Sequence, residues 1–507
     1  MTTQQSLISV EREIPKSKIA FDQQGRSLAW GAKWAGFQIA WQFVVKVARG
    51  LIIPKLLAPA EYGLYASLRV PLSYAPYADL GVKYQLSKRL PYELTKGERA
   101  FRALQDRGGS WILATSMLLA LGIFVASFFQ HGPHAWFYRP GLQILALVVI
   151  FTRASDFLGV ALVSREEFRF SSIGGMIRDT GVLIFAVILM LLFGVIGAVW
   201  GMLLGEFLCL VYYLQHVRFQ LILFRLREIR NMLQEGIPLL LIGLMDSILM
   251  TVDQIFLLKF FPKEQYGIYA LGGFVASVML SLSAPLLSAI QPRVMSLEAE
   301  GHRAHVHRVI ESSMTLYLLF LIVSLAFAIP CVTVAVRFYL PKYQAGIPTY
   351  VLLAGLALVR GPAILLRPYF VSRNQEKLLL RYQGIAVLLA VVLNTLVVLK
   401  GGGIASVAAA SLCAYAVASG LMCTKFEQQG EGEAWLGKYV ILVVAFLGII
   451  GIFVYFRAGH FSGDFMGYAA QVFAAGCLYL LSLGLIALPM YRELREVARP
   501  FFSPLPI

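Results

Sequence analysis

Charged side chains are scarce in this chain. Of its 507 residues, 14% are charged and 58% are hydrophobic, and the mean hydropathy is +0.72. Soluble domains carry roughly a quarter of charged residues, so this chain has too few to cover a surface that faces water. The composition therefore excludes a soluble globular protein and indicates a polytopic membrane protein.

Cysteine is also rare, and phosphate-binding loops are missing from the sequence. The five cysteines lie in or beside apolar stretches, without the paired spacing of a disulfide framework or a zinc site. We expect them to behave as small core hydrophobes. The sequence has no glycine-rich loop of the nucleotide-binding type, so it predicts neither direct use of ATP nor a bound cofactor or metal.

Long apolar stretches are what the chain has in abundance. Fourteen of them have roughly the 20-residue length of a helix that crosses the hydrocarbon core. Only a helix satisfies its own backbone hydrogen bonds there, so the predicted fold is all-α with fourteen transmembrane helices. The predicted spans are 28–50, 62–87, 109–129, 141–163, 171–194, 196–217, 235–258, 266–290, 312–336, 346–371, 379–399, 403–423, 437–456 and 467–489.

Loop charge predicts the orientation and divides the chain. Lysine and arginine are concentrated in the connections that follow even-numbered spans. Because cytoplasmic loops carry this excess, we expect both termini in the cytoplasm. The predicted segments are a cytoplasmic N-terminus (1–27), an N-lobe of six spans (28–217), a basic linker (218–234), a C-lobe of six spans (235–423), two further spans (424–489) and a cytoplasmic tail (490–507).

Two similar stretches indicate that the lobes are copies. Residues 55–66 read KLLAPAEYGLYA, and residues 259–270, 204 positions later, read KFFPKEQYGIYA. A fixed internal period indicates a duplicated unit. Six spans is an even number, so both lobes enter the membrane from the same side, and the predicted repeats are parallel.

Prolines indicate irregular helices in three of the predicted spans. They are Pro71 and Pro76 in span two, Pro285 in span eight, and Pro362 and Pro368 in span ten. Proline removes a backbone donor and kinks a helix. Broken helices serve as gates in many transporters, although a kink can equally serve packing alone.

Basic residues inside the N-lobe spans predict an anion site. An ionised side chain costs at least about 2.5 kcal/mol near the bilayer centre unless it is solvated or paired. Local spacing predicts three ion pairs, Asp79–Lys83, Arg153–Asp156 and Arg178–Asp179. The remaining cations would line a positive cavity that suits a phosphate or diphosphate, unless they reach the interface or pair across helices. The six candidates are Lys46, Arg49, Arg69, Lys83, Arg153 and Arg178, of which the first three lack a local acid.

The C-lobe carries acidic candidates instead. Asp246 and Asp253 are seven residues apart and share one face of span seven. Asp246 and Arg360 lie near mid-depth and are expected to form a buried ion pair. The alternative is that Asp246, Asp253 and Asn394 form a proton or sodium site that drives transport.

The motif residues resemble those of a known family. The stretch LLAPAEYGLYA (56–66), followed by ADLGVKYQLSKRL (78–90), resembles the first helical hairpin of bacterial polysaccharide-repeat flippases. These flippases, among them the O-antigen type, belong to the multidrug/oligosaccharidyl-lipid/polysaccharide exporter superfamily. The resemblance implies a V-shaped pair of lobes in the bacterial inner membrane. It also implies that Lys46, Arg49 and Arg69 bind a diphosphate, and that Asp253 matches an acid on the family's seventh helix.

The function that this resemblance implies is a flippase that works by alternating access. Its substrate would be an undecaprenyl-diphosphate-linked oligosaccharide, carried from the inner to the outer leaflet, with H⁺ or Na⁺ as the coupling ion. The expected partners are this lipid-linked glycan and the bilayer. A polysaccharide polymerase is left open as a protein partner, and nucleic acid is not expected.

Three alternatives are weighed against the flippase. A cation-coupled drug antiporter of the same fold needs an acidic, aromatic cavity, which the basic N-lobe disfavours. A membrane enzyme of glycan assembly is disfavoured because no predicted outward loop exceeds roughly a dozen residues, too few for a folded domain. A passive scaffold would not need so many intramembrane charges.

Overall fold

The computed structural model describes residues 16–222 and 226–430, together with 437 and 440. Within these residues the chain forms fifteen α-helices and no β-strand. Predicted spans thirteen and fourteen, the cytoplasmic tail and residues 1–15 lie outside the described part. The helices are α1 (Lys16–Leu56), α2 (Pro59–Leu72), α3 (Val82–Thr95), α4 (Glu98–Phe128), α5 (Ala135–Ser164), α6 (Phe168–Phe193), α7 (Val195–His216), α8 (Leu226–Phe260), α9 (Lys263–Ser281), α10 (Ser283–Ala299), α11 (Arg303–Val334), α12 (Ile347–Ala354), α13 (Leu356–Ser372), α14 (Glu376–Leu399) and α15 (Ile404–Gln428).

Ten helical segments in the described part are long and apolar enough to cross a membrane. They correspond to ten of the twelve spans predicted there. The other two, spans two and eight, are each divided into two shorter helices, α2–α3 and α9–α10. The chain is therefore a multi-pass, all-helical membrane protein, and the total of fourteen spans stays a prediction.

The broken helices occur in the spans that contain prolines. In span two, α2 ends at Leu72, one 3-10 turn follows, and α3 begins after Gly81. Gly81 has φ of +88°, and a Cβ there would lie 2.6 Å from the carbonyl carbon of Gly236 in α8. Only glycine fits both this backbone conformation and this approach. Span eight breaks at Leu282, close to Pro285. Span ten breaks at Gly355, and its second half, α13, continues through Pro362 and Pro368. The predicted irregularity is therefore present in all three spans, but it lies at the predicted prolines only in spans two and eight.

The two copies of the repeated motif meet at one end of the bundle. This end carries the α1–α2 and α8–α9 connections, which loop charge predicts to face outward, and we call it the outer end. Gly63 of α2 lies against Lys263 of α9, and Gly267 of α9 lies against Pro59 of α2. A Cβ on Gly63 would be 3.0 Å from the Gly267 nitrogen, and the reverse distance would be 2.9 Å. The contact is reciprocal, as between two copies of one unit. This supports the duplication, while the full six-helix repeat stays a prediction.

Other contacts between the lobes close the outer end. The Lys55 amine donates a hydrogen bond to the Tyr339 carbonyl at 2.8 Å, and the Tyr343 hydroxyl donates to the Leu57 carbonyl at 3.3 Å. Tyr62 of the N-lobe and Tyr343 belong to the same buried apolar cluster. The outer end is therefore sealed by packing as well as by hydrogen bonds.

A second seam between the lobes runs along α2–α3 and α8. The Tyr77 hydroxyl donates to the Gly243 carbonyl at 2.7 Å, and Arg89 forms an ion pair with Glu235 at 2.7 Å. The Gly81–Gly236 approach lies between these two contacts. The lobes are therefore joined on this side of the molecule, and any cavity between them lies on the opposite side, beside α1.

Candidate functional site: a basic cavity between the lobes

A cavity of about 1240 Å³ lies between the two lobes. Its N-lobe wall is formed by α1, α2 and α6, and its C-lobe wall by α10, α11 and the residues at the α9–α10 break. The two walls differ in chemistry, because every charged lining residue in the described part of the chain belongs to the N-lobe. The charged residues are Lys46, Arg49, Arg69 and Asp179, and the C-lobe supplies mainly apolar ones, including Leu282, Leu286, Leu316 and Phe320.

Three sequence-predicted cations come together in this cavity. Lys46 and Arg49 are three residues apart on α1 and therefore share a helix face, and Arg69 reaches the cavity from α2. The Lys46 amine donates to the Ser277 carbonyl at 2.7 Å. Among the described residues, none of the three cations has a carboxylate within 4.0 Å. Their positive charge is therefore available to a ligand.

The other three predicted cations lie in an ion-pair network within the N-lobe. Lys83 contacts Asp156 at 2.9 Å, and Arg178 contacts the same carboxylate at 3.5 Å. Arg153, 0% exposed, pairs with Asp79 and lies 3.3 Å from Asp156. The predicted Arg153–Asp156 pair is confirmed, whereas the predicted Asp79–Lys83 pair is wrong, because each residue has a partner on another helix. None of the three cations lines the large cavity, so they are not retained as diphosphate ligands.

Asp179 is a cavity residue that the sequence reasoning missed. The expected pair with Arg178 is present at 4.0 Å, the limit of ion-pair contact. Asp179 also lines the cavity and interacts electrostatically with Arg49 and Lys46. Adjacent residues on a helix point about 100° apart, so the helical period already indicates that Arg178 and Asp179 face different neighbours.

The helix α1 lies between the cavity and the molecular surface. Ile39 and Val44 line the cavity and are also exposed, and Phe37 is exposed on the same helix. Apolar side chains at the surface of a membrane-spanning helix face lipid. The cavity is therefore open along α1, and we expect this opening to face lipid.

In the C-lobe, Asp246 is held by two arginines. The Arg360 guanidinium donates to both carboxylate oxygens of Asp246 at 2.5 Å, and Arg367 lies 3.5 Å away. The buried pair expected between Asp246 and Arg360 is therefore present. A carboxylate with two arginine partners is a poor cation ligand, so Asp246 is not retained in the ion-coupling site.

Asp253 and Asn394 have a different environment. Asp253 is 8% exposed, accepts hydrogen bonds from the Tyr269 hydroxyl and the Gln254 backbone, and has no cationic partner among the described residues. Asn394 is fully buried, and its amide donates to the Ala390 carbonyl at 2.8 Å. Its Oδ1 has no hydrogen-bond partner in the described part. The helices that carry the two residues, α8 and α14, pack together in one apolar cluster.

The fold and the cavity define a multi-pass, all-helical membrane protein with a basic cavity between its two lobes. Residues 52–337 match the family model described as "Polysaccharide biosynthesis protein". The match covers more than half of the chain, so this chain belongs to that family, as the sequence motifs predict. No curated protein matches the chain in sequence.

Two solved structures show how widely the fold is shared. One is the inward-facing conformation of a multidrug resistance MATE family transporter of the MOP superfamily, with 13% identity and a TM-score of 0.60, covering 76% of this chain and 95% of that chain. The other is the lipid II flippase MurJ in an inward closed conformation, with 12% identity and a TM-score of 0.59, covering 91% of this chain and all of that one. At these identities the similarity shows the fold alone. The first of these proteins is a transporter and the second is a flippase.

Proposed function

We propose that this chain is a flippase for undecaprenyl-diphosphate-linked oligosaccharides, which it moves from the inner to the outer leaflet by alternating access. The observation that carries the proposal is the cavity in which Lys46, Arg49 and Arg69 have no carboxylate partner among the described residues. Guanidinium groups bind phosphate oxygens through paired, charge-assisted hydrogen bonds. A diphosphate is therefore the ligand that this wall fits best.

The apolar part of the cavity supports a lipid-linked ligand. The C-lobe wall offers Leu282, Leu286 and Phe320, which a soluble sugar phosphate would leave in contact with water. The cavity opens along α1, where we expect lipid, so a prenyl chain can remain in the bilayer while its head group occupies the cavity. An organic cation, the usual substrate of a drug antiporter, would meet a wall of its own charge.

The sealed outer end supports alternating access. Gly63 and Gly267 bring the two lobes into direct backbone contact there, and the basic cavity lies on the inner side of this seal. Separating the α2–α9 contact would open the cavity outward. The seal is made by two matching surfaces. Lobes that meet at such an interface can separate and close again by rigid-body motion.

We also propose Asp253 and Asn394 as the site of a coupling cation, H⁺ or Na⁺. Asp253 is a buried carboxylate without a cationic partner in the described part of the chain, and Asn394 has a buried oxygen without a donor. Intramembrane acids of this kind mark ion pathways. One charge moving through 100 mV supplies about 2.3 kcal/mol, enough to bias the return of the empty carrier.

The test is transport by the purified protein in vesicles that contain a defined undecaprenyl-diphosphate-linked oligosaccharide. Arrival in the far leaflet is measured by a lectin that cannot cross the membrane. Hydrogen bonds to a charged group contribute about 1.5–3 kcal/mol, so Arg49→Ala and Arg69→Ala should each lower the rate at least about tenfold. The control is Lys400→Ala, which removes an exposed cation at the end of α14.

The outcomes separate the candidate functions. Lys400→Ala should transport at the wild-type rate. Normal transport by both arginine variants would reject the diphosphate site. Export of an organic cation together with no movement of the lipid-linked glycan would favour the antiporter.

A further inference from the structure

We infer that Asp179 weakens the binding of a lipid diphosphate with a free phosphate end relative to a diphosphate that is substituted at both ends. This inference rests on the proposed function and concerns the same cavity. The inference assigns a specificity role to the Asp179 carboxylate. It predicts that the carrier distinguishes glycan-loaded lipid from unloaded lipid without contacts to the sugars.

The formal charge of the cavity is the first observation. Three lining side chains are positive, Lys46, Arg49 and Arg69, and one is negative, Asp179. Three positive charges less one negative charge leave a formal net charge of two positive. All four belong to the N-lobe, so this balance does not depend on how the C-lobe moves.

The placement of Asp179 is the second observation. Its neighbour Arg178 is turned toward Asp156 at 3.5 Å, which leaves Asp179 4.0 Å from the nearest guanidinium nitrogen. The Asp179 Oδ2 atom is buried and has no hydrogen-bond donor among the described residues. Beside it, the Trp41 indole donates to the Thr180 hydroxyl at 2.9 Å and fixes α6 against α1. The carboxylate is thus held next to the cavity cations, with Arg178 at 4.0 Å from one oxygen and no hydrogen-bond donor on the other among the described residues.

The charge of the ligand depends on its substitution. A diphosphate with a lipid on one phosphate and a sugar on the other keeps one acidic oxygen on each phosphate and carries two negative charges. A free phosphate end adds another acidic oxygen with a pKa near 6, so unloaded lipid diphosphate carries close to three negative charges at pH 7.5. The cavity's net charge matches the first ligand and falls one short of the second.

The expected discrimination follows from Coulomb's law. The free-ended lipid, whose additional negative charge lies about 10 Å from the Asp179 carboxylate at an effective dielectric constant of about 20, should bind roughly tenfold more weakly than it would if this carboxylate were neutral. The neutral lining polar groups are few, chiefly Gln42, Ser281 and Tyr317. The charge balance is therefore the main means by which this wall can tell the two lipids apart.

The experiment measures binding of two probes to the full-length protein in detergent at pH 7.5. One probe is undecaprenyl diphosphate that carries a single hexose, and the other is free undecaprenyl diphosphate. The quantity compared is the ratio of the two Kd values in the wild type, Asp179→Asn and Asp179→Glu. The matched control is Glu300→Gln, which removes an exposed carboxylate at the end of α10.

Each result decides the inference. The wild type and Glu300→Gln should give the same ratio of the two Kd values. Asp179→Asn should shift that ratio about tenfold toward the free-ended lipid by tightening its binding, and Asp179→Glu should keep the wild-type ratio. An unchanged ratio in Asp179→Asn would overturn the inference while leaving the proposed function intact. A wild type that binds neither lipid would instead refute the proposed function.

Discussion

Adding a single methyl group to the glycine contact at the outer end should shift the protein toward the outward-open state. In Gly267→Ala the new Cβ would lie 2.8 Å from the Pro59 carbonyl carbon and 2.9 Å from the Gly63 nitrogen, whereas ordinary Cβ contacts are 3.4–4 Å. The Pro59 carbonyl oxygen would lie closer still, so the backbones must separate by more than 0.6 Å, the difference between 3.4 Å and 2.8 Å. Widening a contact by about 0.5–1 Å removes roughly a quarter to a half of its dispersion energy.

Overpacking of this kind costs about 1–3 kcal/mol, and the cost falls only on the conformation in which the outer end is closed. Because about 1.4 kcal/mol is a factor of ten, the closed population should fall by roughly fivefold to more than a hundredfold relative to the open one. Glycan transport should slow, since the variant closes its outer end less often.

The assay is a pulsed electron spin resonance distance between labels at Ala60 and Lys342, which are exposed at the outer end of opposite lobes, in a cysteine-free background. Gly267→Ala should broaden the distribution toward longer distances. Gly273→Ala is the matched control, because a Cβ there has no neighbouring atom within 4 Å. If the two variants give the same distribution as the unsubstituted protein, the α2–α9 contact does not govern closure.

Two further predictions concern buried carboxylates. Asp253→Asn should transport at a rate that no longer responds to an imposed proton or sodium gradient; a variant that keeps the wild-type response in vesicles would exclude Asp253 as the coupling site. Arg153→Met should lower the free energy of unfolding by about 3–5 kcal/mol, because it leaves the buried Asp79 without its partner. Adding Asp79→Asn should recover much of the loss in a thermal unfolding assay, and a double variant no more stable than the single one would argue against the ion pair as the cause.

The parts of the fold that follow from composition and local spacing were predictable. Long apolar stretches mark the crossings because the hydrocarbon core fixes their length. Prolines lie at or beside the breaks of spans two and eight, because they cannot donate to the helix ladder, whereas α13 continues through Pro362 and Pro368. The pair Arg153–Asp156 was found because residues three apart share a helix face. The pair Asp246–Arg360, 114 residues apart, was found only because both residues lie at similar depth.

The partners that come from other helices were not predictable from spacing. Lys83 contacts Asp156, 73 positions away, rather than Asp79 on its own span. Tyr269, which donates to Asp253, lies on the next helix. The apolar C-lobe wall gave no signal at all, because its leucines look like those of any lipid-facing helix. Lateral packing decides these contacts, and a single sequence does not specify it.

The one-sided placement of charge around the cavity has a mechanical consequence. Among the described residues, every charged group that lines the cavity belongs to the N-lobe. The C-lobe wall is mainly apolar and would form no ion pair with the head group. A bound diphosphate would thus move together with the N-lobe. The C-lobe could rotate away without breaking an ion pair to the phosphates. The free-energy cost of opening would then come from separating the α2–α9 contact and from exposing the leucine-lined C-lobe wall to water. The ion pairs to the anion would contribute little to this cost.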